Sequence, residues 1–64
     1  MRHIAESKPS NRQKVWLLTW WDVNPHIATY DADRQVWHPD GYGKSYPVNG
    51  SDQHGDRWEP VEEA

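Results

Sequence analysis

Residues 14–23 read "KVWLLTWWDV", and the fold of this short chain turns on how that run is laid down. As a strand it places Val15, Leu17, Thr19 and Trp21 on one face and Trp16, Leu18 and Trp20 on the other, because successive side chains alternate. As a helix it pairs Trp16 with Trp20 and Leu17 with Trp21, four residues apart. Periodicity fits both readings, so length and composition decide. The apolar run spans about eight residues, is rich in tryptophan and valine, and is stopped by "DVNP"; these features belong to a strand.

The flanking sequence continues in the same sense. "MRHIAESKPSNRQ" (1–13) reads as an arm followed by a turn, since Pro9 disfavours helix at Lys8 and Ser10 and Asn11 complete a turn cluster. "HIATY" (26–30) and "RQVW" (34–37) read as the two strands of a hairpin joined by "DAD", whose carboxylates accept local backbone hydrogen bonds. "HPDGYG" (38–43) is a second turn: Pro39 fixes its φ, and Gly41 or Gly43 is free to take a positive one. Residues 44–56 carry no period and read as a long loop, with Tyr46 and Val48 as a short strand or an anchor inside it. "DRWEPV" (56–61) reads as a last, edge strand, where Pro60 spares one donor. Residues 62–64 read as a frayed tail. The expectation is one small domain over residues 1–64, mainly β: an antiparallel meander of three to four strands with a long loop and little or no helix.

Composition sets what such a sheet can bury. The 64 residues include no cysteine and no phenylalanine, and leucine, isoleucine and valine together number nine. Neither a disulfide nor a thiolate zinc site can staple the fold. Five tryptophans and three tyrosines remain, each ring able to bury on the order of 150–250 Å². The core is therefore aromatic, and at this length it is thin. A central strand apolar on both faces needs cover on both. Ile4, Tyr46, Val48 and Trp58 are candidates for one side. The 39–56 loop, a second copy or another protein can cover the other, and an uncovered apolar patch would be a contact surface.

Charge narrows the function classes. Arg2, Lys8, Arg12 and Lys14 against Glu6 give the first 14 residues +3, and the remainder carries three basic and nine acidic side chains, for a total of −3. An acidic domain is a poor general ligand for phosphate backbones. No segment approaches the roughly 20 apolar residues of a membrane span, and residues 1–14 lack a secretory pattern. The cytoplasm is the default compartment.

Chemistry is sparse. His3, His26, His38 and His54 form no ligand-spaced motif. His38, Asp40 and His54 have suitable atoms for a metal, but their spacing alone gives no support for one. No cofactor-binding motif is present. There is no nucleophile elbow, and a chain this short hardly builds a pocket deep enough to shift a carboxylate's pKa. The sequence reads as non-enzymatic. Trp37 and Trp58 with Pro60 have a spacing similar to that of WW domains, which bind proline-rich ligands. Yet "WEP" is one residue short of that family's ending, and "GYGKSYPVN" lacks its paired aromatics.

Three segments, "HIAESKPSNRQKVWLLTWWD", "HIATYDADRQVWHPDG" and "DRWEPVEE", together resemble domain-of-unknown-function family 551, short proteins frequent in phages and prophages. His3 stands where that family opens with tryptophan, and Val61-Glu62 replaces its apolar-proline ending. The resemblance implies a small β-rich domain in a phage or prophage setting, in the host cytoplasm, and supplies no activity. Taken with the two-faced strand, it suggests an interaction protein that binds a host or phage protein, inhibition of a host defence being one specific form. Trp20 and Trp21 are the expected contact residues, with Tyr30 and Trp37 nearby across the hairpin, because aromatics dominate binding hot spots. Two other classes stand beside it: a nucleic-acid accessory factor using the basic arm, and a structural homodimer joined through strand edges.

Overall fold

The structure, a computed structural model, describes residues 1–41, 43–51 and 53–61. Six strands form one antiparallel sheet: β1 (Arg2–His3), β2 (Lys14–Leu18), β3 (His26–Asp31), β4 (Val36–Pro39), β5 (Tyr46–Pro47) and β6 (Arg57–Pro60), in the order β1-β6-β2-β3-β4-β5. The mainly β expectation holds and the strand count rises, since the N-terminal arm and the long loop each contribute a two-residue strand. The frayed tail read at 62–64 lies outside the described residues.

Strands β2 to β5 run as the expected meander. The chain then returns over residues 48–56 to lay β6 between β2 and β1. β6 is therefore not an edge. Pro60 is tolerated there because β1 pairs only as far as Arg2↔Trp58, which leaves Pro60 facing β2 alone, opposite Val15. The two edges, β1 and β5, are two residues each, and short edges limit uncontrolled pairing. Laid flat, six strands at about 4.8 Å spacing would make a broad single layer. The nearly equal extents of 30 × 26 × 25 Å show that the sheet curls around its own core.

Alternation in β2 sends Val15 and Leu17 inward and leaves Trp16 38% exposed on the outer face. Trp16 there stands between Ile27 of β3 and Glu59 of β6. The inner face joins Val15 and Leu17 to Ala28, Tyr30, Trp37, Trp58 and Ile4, with Ala32 and Val48 packed against them. Tyr30 and Trp37 are cross-strand partners with ring centroids 5.0 Å apart, a pairing worth some tenths to one kcal/mol, on the order of that between other aromatic neighbours. β4 starts at Val36, two residues later than its sequence suggests. Arg34 and Gln35 instead complete the hairpin loop, Gln35 at φ 54°, with the Arg34 amide donating to Asp31 Oδ1.

The arm is built in by three devices. Arg12 N–H donates to the Tyr30 carbonyl and Tyr30 N–H to the Gln13 carbonyl, so two residues oppose one in a β-bulge whose first residue, Arg12, sits at φ 66°. Ile4 N–H donates to the Asp56 carbonyl. Trp58 Nε1 donates to the Ser7 carbonyl at 2.7 Å while the Arg2 guanidinium lies 5.0 Å from its ring centre. Gly55 fits against His3 because it has no side chain: a Cβ there would run into the Ser51 carbonyl and the His3 ring.

Candidate functional site

β2 ends early for a local reason. Asp22 Oδ2 accepts from both the Thr19 amide (3.1 Å) and the Thr19 hydroxyl (2.7 Å), and Asp22 N–H donates back to the Thr19 carbonyl at 3.1 Å. Residues 19–22 are thus a hydrogen-bonded β-turn, with Trp20 and Trp21 as its two central residues. Those positions favour proline, glycine and short polar side chains. Here they carry two indoles, 60% and 52% exposed. His26 Nδ1 stands 3.4 Å from Asp22 Oδ2, tying the turn to the start of β3.

The indoles do not hang free of one another. Trp20 meets Trp21 edge-to-face at 5.8 Å, His54 meets Trp20 at 5.3 Å, and Tyr46 meets Trp21 at 5.8 Å, all with rings nearly perpendicular. The order His54–Trp20–Trp21–Tyr46 forms a row of four rings drawn from the turn, β5 and the 48–56 segment. Val23, just beyond the turn, is almost fully exposed. Beside Trp20 lies a hollow of ≈ 190 Å³ whose lining includes Leu18, Asp22, Gln53 and Arg57.

Of the four residues expected at a contact surface, Trp20 and Trp21 are displayed and adjacent. Tyr30 (4% exposed) and Trp37 (0%) lie in the core, where a partner cannot reach them. Alternation explains the difference: Tyr30 shares the inward face with Ala28, and Trp37 pairs with Tyr30 across the hairpin. Trp37 is further held by its Nε1–H, which donates to Asp56 Oδ2 at 2.6 Å. His54 and Tyr46 enter the row without having been singled out as contacts in the sequence. Nothing local signals them, because Tyr46 is brought to the turn by β5 and His54 by the chain's return after it.

The other candidate groups are dispersed. His38 Nε2–H donates to Asp31 Oδ2 at 3.0 Å, and this bond, with the Arg34 amide, holds the Asp31 carboxyl below its usual range. Asp40 pairs with Lys14 at 3.0 Å, and His54 packs on Trp20. His38, Asp40 and His54 thus have separate partners, and among the described residues no group of three or more acidic or histidine side chains is placed to hold a metal ion. Of the basic arm, Arg2 is engaged with Trp58 and Lys14 with Asp40. Among the described residues Asp56 is the one strongly buried carboxylate, 1% exposed. Its Oδ2 accepts from Trp37 and from the Asn49 amide, while Oδ1 has no hydrogen-bond partner among the described residues. Loss of hydration pushes its carboxyl above the usual range, against the pull of those two bonds.

Among the described residues no helix is long and apolar enough to cross a membrane. Compared with known proteins, the chain is matched by no family model, by no curated protein and by no solved structure.

Proposed function

We propose that this protein is a small, non-catalytic binding module that docks a protein partner on the turn bearing Trp20 and Trp21. The observation that carries the reading is the placement of two large indoles at the central positions of a clamped β-turn. Folding gains little from indoles held more than half in solvent, so their identity is better explained by what they touch when a partner arrives. Exposed tryptophan is the residue type most enriched among hot spots, and a turn closed by three hydrogen bonds presents both rings with little ordering left to be lost on binding. The phage or prophage setting, with a host or phage protein as partner, rests on the resemblance to family 551 in the sequence itself. Inhibition of a host-defence protein is the specific form that this setting and the small size suggest.

The test is a comparison of tagged wild-type protein with Trp20→Ala and Trp21→Ala variants in lysate of a bacterial host, with captured proteins identified by mass spectrometry. A stoichiometric partner retained by wild type and lost by both variants, each still folded by near-ultraviolet circular dichroism, is the expected result. Capture that is indifferent to both substitutions would sink the turn as the docking site.

A further inference from the structure

Resting on that docking reading, we infer that the row His54–Trp20–Trp21–Tyr46 is built for a proline-rich segment in polyproline II conformation, with a carboxylate of the same segment at Arg57. Three observations converge on this ligand class.

The first is the state of the indole donors. Trp37 Nε1 donates to Asp56 and Trp58 Nε1 to the Ser7 carbonyl. Trp20 and Trp21 have no such partner among the described residues, so the turn offers two N–H donors and no competing acceptor on those rings. A polyproline II segment is the complementary surface, since its backbone makes no internal hydrogen bonds and its carbonyls stand free.

The second is the spacing and tilt of the rings. Each ring is turned 84–85° from the next, so the row alternates ring faces with ring edges and leaves notches between them. Two successive steps along it span no more than about 11 Å, against about 9 Å for one three-residue turn of polyproline II. Pyrrolidine rings projecting from successive turns can therefore seat in alternate notches, the His54–Trp20 one and the Trp21–Tyr46 one. Aromatic-lined grooves recognise such segments because little conformational freedom remains to be lost on binding.

The third is charge. Arg57 and Asp22 both line the hollow beside Trp20. Asp22 is committed to Thr19 and faces His26. Arg57 is exposed and makes no ion pair among the described residues, which leaves a bidentate donor for a carboxylate next to the apolar contacts.

The decisive experiment follows the five indole N–H resonances of the ¹⁵N-labelled full chain. The titrants are a synthetic polyproline peptide with a glutamate at each end, the same peptide with lysine ends, and a glycine–serine peptide with glutamate ends. Saturable shifts at Trp20 and Trp21 with the glutamate-ended polyproline, and still resonances at Trp37 and Trp58, are expected. Affinity should fall about tenfold in Trp20→Ala, the size of an ordinary aromatic hot spot. It should fall about threefold or more in Arg57→Gln or with lysine ends, as for a partly exposed charge contact. No shift up to millimolar peptide overturns the inference, as does equal affinity for the lysine-ended or the glycine–serine peptide. The unmoved Trp37 resonance reports that each variant is folded. A partner captured from lysate in a Trp20-dependent way while every peptide stays silent would keep the docking turn and remove the proline-rich class.

Discussion

Asp56 shows how one side chain can serve the fold and strain it together. Its Oδ2 ties the Trp37 indole to the Asn49 amide, yet burial leaves its carboxyl harder to ionise than in the unfolded chain. The sign follows from linkage. As pH rises past the unfolded value of about 3.9, the unfolded chain releases this proton first, so stability from this group is greatest below that pH and declines through the window up to the raised folded value. Asp31 acts in the opposite sense, its carboxyl held low by His38, but equally in wild type and in an Asp56→Asn variant. The stability difference between wild type and Asp56→Asn, from urea melts between pH 7 and pH 4, should therefore move in favour of wild type as pH falls. Movement the other way would refute the assignment. Arg12 is the second residue with a cost attached: it holds φ 66° in the bulge opposite Tyr30, a conformation that glycine takes without a Cβ penalty. Arg12→Gly should raise stability by about 0.5–1 kcal/mol, read as a higher urea midpoint at unchanged slope.

At the scale of elements, the turn at 19–22 is where sequence and structure part most instructively. "HIATY" was legible as a strand, and so was the hairpin after it, because alternation and the polar "DAD" act over neighbouring residues. β2 was legible in kind but not in length: hydrophobicity continues through Trp20 and Trp21, while the Asp22 carboxylate bends the backbone under them. The signal was present as threonine three residues before aspartate, a pair able to close a turn through hydroxyl and carboxylate. β1 and β5 are too short to show a period, and the pairing of β6 with β2 depends on residues some 40 positions apart, where local pattern is silent. The same distance effect hid the Asp56–Trp37 bond, whereas the burial of Tyr30 and Trp37 follows from strand alternation within the hairpin. Asp22→Ala removes two hydrogen bonds to Thr19, worth about 1–2 kcal/mol together. The more telling expected change is spectroscopic. With the clamp gone, the Trp20 and Trp21 indole resonances should collapse toward one another and toward random-coil positions, whereas those of Trp37 and Trp58 hold. Unchanged Trp20 and Trp21 shifts would show that the ring contacts and the remaining backbone bond from Asp22 N–H to the Thr19 carbonyl suffice to order the turn.

For the whole molecule the governing fact is size. At this length total stability is expected to be about 3–10 kcal/mol, so one buried side chain is a large share of it. Ile4 is such a side chain: it is fully buried in the core, although it belongs to the segment that reads in sequence as an arm. Its amide donates to the Asp56 carbonyl, and β1 beside it closes the edge of β6. Ile4→Ala should lose about 2–4 kcal/mol, the ordinary result of emptying a packed aliphatic site. Trp20→Ala removes a far larger ring but one standing 60% in solvent, and should change stability by less than about 1 kcal/mol. The order of these two effects separates a fold-bearing residue from a displayed one, because side-chain volume alone predicts the reverse. Paired urea titrations read it directly. A midpoint that falls steeply for Ile4→Ala and hardly for Trp20→Ala would mean that the chain closes its core with its N-terminal segment and keeps the indole turn free for contact. Comparable losses would mean that the aromatic row is part of what holds so small a sheet together, and the turn could then no longer be assigned to binding alone.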